Sequence, residues 1–177
     1  MMTIKEKIGA VRNRKFLLTW TWHPRPLNTA VANSALLIAS KFGMDVTLAH
    51  PPEYALMDEP MQLARDNAER SGGKFEVVDN MEEAFADADI VYPKSWGVES
   101  LFGEPAEAMR VAQQYRDWIC NEALMARAKE RAIYMHCLPA DRNYEVTDAV
   151  IDGPQSRVYP EAENRLHTAK ALMALTM

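Results

Sequence analysis

The sequence has 177 residues, 48% of them hydrophobic, which is enough for one domain with a full apolar core. Lys+Arg number 20 against Asp+Glu 25, and the resulting net charge of -5 gives no electrostatic reason to expect a nucleic-acid partner. No apolar run approaches the roughly 18 to 20 residues that span a bilayer, and "MMTIKEKIGAVRNRK" lacks the apolar centre of a signal peptide, so a cytoplasmic protein without a membrane partner is expected.

In chain order, residues 1–14 read as an N-terminal extension and 15–177 as the domain. "KFLLTWTW" (15–22) predicts a strand, broken by "HPRP", where the prolines fix φ and remove backbone donors. Leu27, Ala30, Val31, Ala35, Ile38 and Phe42 recur at helical spacing, with Asn28 or Thr29 as cap and Gly43 beyond the last turn. "DVTLAH" (45–50) is a second strand, followed by a helix from about Glu59 to "SGG" (71–73). "KFEVVD" (74–79), "MEEAFADA" (81–88) and "DIVYPKSW" (89–96) read as strand, short helix and strand. Helices are expected over much of 106–117 and 121–130, then a strand "AIYMHC" (132–137), a short strand near "RVYP" (157–160), and a last helix from about Glu163.

Strands alternating with helices predict an α/β fold, a Rossmann-like, mainly parallel sheet covered on both faces. In such sheets ligands bind beyond the carboxyl ends of the strands. Four unusual stretches fall at those ends: "TWTWHPRPLN", "AHPPEY", "YPKSWG" and "MHCLPADRN".

The side chains there allow more than one chemistry. Neighbours on a strand point to opposite faces, so His136 is not placed to serve as base for Cys137, and Cys137 also reads as a small buried apolar side chain. Lys94 either binds a carboxylate or reaches solvent. Arg165, read in the first turn of the last helix, is either compensated by Glu161 and Glu163 or faces an anion. The two cysteines have no CxxC spacing and the four histidines no ligand spacing, so no metal is expected. None of the seven glycines falls in a phosphate-loop order, and no nucleotide cofactor is expected.

"MHCLP" (135–139) resembles the His-Cys-Leu-Pro signature of ornithine-type carbamoyltransferases. "TWTWHPRPLNTAVANSALLIASKFGMDVTLAHP", "DADIVYPKSWG" and "DAVIDGPQSRVYPEAENRLHTAKALM" resemble, in matching order, the N-acetylornithine and N-succinylornithine branch of that family, and together the similarity runs over about residues 15 to 175. The resemblance implies transfer of a carbamoyl group from carbamoyl phosphate to an ornithine derivative, with no cofactor. It implies that Cys137 and Leu138 lie beside the carbamoyl carbonyl, that Lys94 holds the amino-acid substrate, that Arg165 contacts carbamoyl phosphate, and that His136 and Pro139 shape the turn. It further implies a trefoil knot that includes "HPRPLN".

Two departures stand out. The carbamoyl-phosphate domain of such enzymes, with its Ser-Thr-Arg-Thr-Arg-like and His-Pro-x-Gln-like motifs, has no counterpart here, so little or no turnover is expected of this chain, and a monomer is expected ahead of the family's trimer. Glu145 stands where the branch can carry a carbamylated lysine, and either supplies the same negative charge or is a solvated loop residue. The competing reading is a stand-alone, non-catalytic binding domain or minimal knotted scaffold.

Overall fold

A computed structural model describes all residues, Met1–Met177. Five strands, β1 (Lys15–Trp20), β2 (Asp45–Ala49), β3 (Lys74–Val78), β4 (Ile90–Lys94) and β5 (Ile133–Tyr134), form one sheet in the order β3-β2-β1-β4-β5. Every pairing in it is parallel. Because the strands share one direction, all four unusual stretches reach the same edge of the sheet. The strand order reverses between β1 and β4, which puts Trp20 beside Lys94 at the crevice where such sheets take ligands.

Side-chain alternation divides the core in two. Phe16, Leu18, Trp20, Val46, Leu48 and Ile90 face one side, where they meet α1 (Met2–Ile8), α2 (Ala30–Lys41) and α3 (Asp58–Ser71). Leu17, Val91 and Tyr134 face the other, against α4 (Met81–Phe85), α6 (Glu122–Met125) and α7 (Asp148–Ile151). The remaining helices are α5 (Pro105–Ala112) and α8 (Val158–Thr176). Residues 2–8 are helical, and Ile4 and Val11 are buried in the first core. No helix is long and apolar enough to cross a membrane.

Several elements depart from expectation. In α2 the buried side chains are Ala32, Ala35, Leu36, Ala39 and Ser40, while Ala30 and Ile38 are exposed, so the inward face is rotated from the apolar stripe read in the sequence. Small residues permit α2 to approach the sheet and α3 closely. The helix start is met by Asn28, whose Oδ1 accepts from the Ala30 amide at 3.1 Å, whereas Thr29 makes no side-chain cap. The helix expected over 121–130 is the single turn of α6, capped by Asn121. The strand expected over 132–137 is only Ile133–Tyr134, because the chain leaves the sheet after the Met135 amide bonds the Val91 carbonyl. The strand expected at 157–160 is reduced to one bridge, Tyr134 to Ser156, and α8 begins at Val158. Pro160 lies in the first turn of α8, where its missing N–H is tolerated.

Candidate functional site

Three segments converge where the crevice opens: the end of β4, the loop after β5, and the start of α8. Lys94 is the last residue of β4 and is only 8% exposed. An ammonium so placed needs a counter-charge. Glu145, 1% exposed, supplies it: Oε1 accepts from Lys94 Nζ at 3.0 Å and from the Ser95 amide at 3.0 Å. The other oxygen accepts from the Asp141 amide at 3.0 Å. His136, fully buried, completes the set with Nε2 at 3.4 Å from Glu145 Oε1.

The tautomer of His136 follows from its other nitrogen. The Leu138 amide donates to Nδ1 at 3.0 Å, so the neutral ring carries its proton on Nε2, facing Glu145. Burial works against ionisation of Glu145, but the hydrogen bond from His136, together with the Lys94 ammonium and the Asp141 amide, holds its carboxyl far below the usual carboxylate range. The solvated-loop alternative for Glu145 is thereby excluded: it is a buried anion at the centre of the cluster.

His136 and Cys137 lie beyond the end of β5, so strand alternation does not govern them. They still do not form a catalytic pair, for a different reason: both imidazole nitrogens are engaged, by Leu138 and Glu145. Cys137 is half-buried, and burial raises its thiol pKa despite the nearby Lys94 charge, so it is not an activated thiolate. Leu138 adopts φ +50 and precedes a cis Pro139, a sharp turn that brings Leu138 to the surface of a cavity of about 450 Å³.

Arg165 lines the same cavity. Because α8 starts at Val158, Arg165 lies beyond its first turn, and the expected compensation is not made. Glu161 accepts instead from Tyr92 and His136, and Glu163 lies 3.7 Å from His167. Arg165 has no carboxylate partner, whereas the other arginine of the cavity, Arg142, is held by Asp148 and Asp152. The structure thus gathers Lys94, Glu145 and His136 in one buried cluster, and Leu138 and Arg165 on one cavity, with the Cys137–Leu138 turn joining the two.

Residues the sequence reading passed over hold this arrangement. His23 of "HPRPLN" bonds Asp141 through Nε2, and Ser95 Oγ donates to the Thr21 carbonyl. Gly97 donates to the Leu27 carbonyl at 2.7 Å. The proline-rich loop therefore docks on both the β4 end and the signature loop. A β-carbon at Gly97 would stand 2.8 Å from Pro26 Cβ and 3.0 Å from Phe102 Cε1. Gly97→Ala is expected to destabilise the fold by about 1–3 kcal/mol through overpacking. Chemical denaturation checks it, and an unchanged midpoint would show that the loop yields.

With the geometry in place, similarity to known proteins becomes informative. Residues 16–176 match the family described as aspartate/ornithine carbamoyltransferase, Asp/Orn binding domain. An N-acetylornithine carbamoyltransferase of Xylella fastidiosa (strain 9a5c) is 46% identical over 98% of this chain and 52% of its own length. A solved acetylornithine transcarbamylase complexed with acetylcitrulline superposes with a TM-score of 0.95 at 45% identity, covering 98% of this chain and 53% of that one. A mutant N-acetyl-L-ornithine transcarbamylase complexed with carbamyl phosphate and N-succinyl-L-norvaline gives 0.95 at 45% identity, over 99% of this chain and 54% of that one. The chain spans about half the length of the curated relatives it matches.

Proposed function

Because this chain belongs to the aspartate/ornithine carbamoyltransferase family, we propose that it is the amino-acid-binding half of a carbamoyltransferase acting on an N-acylated ornithine. The observation that carries this reading is the convergence of Lys94, Glu145 and His136 behind the His136–Pro139 turn, at the crevice between β1 and β4. In the reaction a substrate amine attacks the carbamoyl carbon, the bond to phosphate oxygen breaks, and the amine loses a proton. Such a transfer needs alignment of two reactants, acceptors for the ammonium protons and cations near the departing phosphate.

Each of these demands has a candidate. The Leu138 carbonyl is the acceptor for the attacking amine, and Cys137 packs beside the carbamoyl group without becoming a covalent intermediate. Glu145 takes one Lys94 donor and leaves the other N–H groups of the ammonium for the acylated amino acid. His136 orients the turn through the Leu138 amide. Arg165 faces the phosphate. Since Arg142 is already neutralised by two carboxylates, one unpaired arginine on the cavity is a weak clamp for a phosphate dianion. The 177 residues alone are therefore expected to bind the amino acid and to turn over little or not at all.

A carbamoyl-transfer assay with ornithine, N-acetylornithine and N-succinylornithine, run beside calorimetric titration of each, tests this. Saturable binding of an acylated ornithine, weakened at least tenfold by Lys94→Ala, is the expected result; brisk turnover by the chain alone refutes the incompleteness, and no binding of any of the three refutes the substrate half.

The same reading includes a trefoil knot around the proline-rich loop. Its support is the loop's bonding on both sides, from His23 to Asp141, from the Trp22 amide to the Trp118 carbonyl and from Gly97 to Leu27. Ligating the two ends of the folded chain and then denaturing it separates the cases. A knotted circle stays more compact than an unknotted circle of the same length, and equal hydrodynamic radii would rule the knot out.

A further inference from the structure

The carboxylate of Glu161 lies outside the Lys94–Glu145–His136 cluster, and the proposed reaction assigns it nothing. It stands in the first turn of α8, one helical turn before Arg165. Oε1 accepts from Tyr92 Oη at 3.1 Å, and Oε2 accepts from the His136 amide at 3.0 Å. Tyr92 lies two residues before Lys94 on β4. One side chain thus bonds the strand that carries Lys94 and the turn that carries Cys137 and Leu138, from the helix that carries Arg165.

The surroundings make this an unusual place for a carboxylate. With Met1, Ile4, Phe16, Tyr92 and Met135, Glu161 lines an apolar groove of about 420 Å³. No lysine or arginine pairs with it, and burial raises its pKa even though Tyr92 and His136 donate to it and the Met1 ammonium lies near. A group that costs stability in this way and makes two directed bonds to site-bearing segments has a positional use.

We propose that Glu161 is a positioning residue: it braces the His136–Leu138 turn against β4 and α8, fixing the Leu138 carbonyl relative to Lys94 and Arg165. The proposal rests on the substrate-half reading, and deepens it. Without the brace the His136 amide has no acceptor and the turn is tied only through its own imidazole and the Glu145 cluster. The amino-acid ligand then meets a turn that must be ordered on binding, and affinity falls.

The test uses the 177-residue chain and acetylcitrulline as probe, with two readouts, the dissociation constant and hydrogen exchange of the His136 and Leu138 amides. Glu161→Ala is expected to weaken acetylcitrulline about tenfold, equivalent to about 1.4 kcal/mol, and to speed exchange at His136, in a chain that is still folded at the temperature of the measurement. Glu161→Gln, whose amide accepts from His136 and donates to Tyr92 Oη, is expected to recover most of both, and Tyr92→Phe to fall between. Rescue by glutamine separates positioning by hydrogen bonds from a need for charge. Undiminished affinity in Glu161→Ala, or slow His136 exchange in it, overturns the brace. If the unsubstituted chain fails to bind acetylcitrulline, the substrate-half reading fails, and the exchange at His136 still decides for or against the brace. Should Glu161→Ala not fold, Tyr92→Phe carries the same two readouts.

Discussion

Replacing Glu145 with alanine lowers the unfolding free energy by about 3–5 kcal/mol, the range for removing one partner of a buried ion pair. The physical cause is what remains. Lys94, 8% exposed, keeps its charge within the fold but loses its carboxylate, while the Ser95 and Asp141 amides and His136 Nε2 lose their acceptor. At roughly 2–4 °C per kcal/mol for a chain of this size, the melting temperature drops by about 10 °C. Lys94→Met alone costs less, since Glu145 keeps its bonds from His136, Ser95 and Asp141. The double substitution is expected to be milder than the sum of the two, because it leaves no lysine charge unpaired, and the cycle isolates the coupling. Urea denaturation of the four proteins is the measurement; a loss below about 1 kcal/mol in Glu145→Ala would mean that solvent enters and satisfies the cluster.

Glu145, buried, and Glu161, half-buried, pull stability in opposite directions with pH. Glu145 has a depressed folded-state pKa, so its contribution is fully present above the ordinary value of about 4.3 and is lost only as pH falls toward the folded value. Glu161 has a raised folded-state pKa, so its ionisation subtracts stability as pH rises from about 4.3 through the folded value. Ionisation of Glu145 thus adds to stability, whereas ionisation of Glu161 subtracts from it.

Much of this was legible in the residues, and where legibility failed the reasons are physical. Parallel strands buried on both faces have continuous apolar runs, so "FLL" and "DIVY" announced β1 and β4 without any tertiary information. The apolar run 132–137 misled at β5, because pairing with β4 ends with the bond from the Met135 amide to the Val91 carbonyl, and His136 is buried by side-chain packing beyond the sheet. The α2 face was misjudged since Ile38, larger and more apolar than Ala32 or Ala39, is left at the surface while the alanines take the tight contacts. At the site, Lys94 and the His136–Leu138 turn stood out by residue type and position. Glu145 was marked only by the family resemblance, with a solvated loop residue as the alternative, and Glu161 only as a possible partner of Arg165: a glutamate in a loop and a glutamate beginning a helix are ordinary until the distant donors, 51 residues away for Lys94 and 69 for Tyr92, are brought to them.

The second large effect lies under the site. Trp20 ends β1, is 1% exposed, and packs its indole 4.1 Å from the Tyr54 ring, with Trp118 at 6.0 Å and Tyr115 at 6.3 Å. Its Nε1 donates to the Trp96 carbonyl at 2.8 Å, and Trp96 Nε1 donates to the Tyr54 carbonyl at 2.8 Å, so the stack and the two hydrogen bonds close a triangle across the carboxyl ends of β1, β2 and β4. Trp96 follows Lys94 by two residues, and the triangle therefore fixes the segment from which Lys94 projects. Trp20→Ala removes the indole that the Tyr54, Tyr115 and Trp118 contacts share and is expected to cost about 3–5 kcal/mol. Trp20→Phe keeps most of the apolar contact but strands the Trp96 carbonyl, at a cost of about 1–3 kcal/mol. Denaturant midpoints give both values. The two substitutions also divide packing from placement: if Trp20→Phe stays folded yet binds acetylcitrulline more weakly, the hydrogen bond to Trp96 is what transmits core geometry to Lys94. Unaltered affinity in folded Trp20→Phe would instead show that β4 and the Glu145 pair hold the lysine without help from the aromatic core.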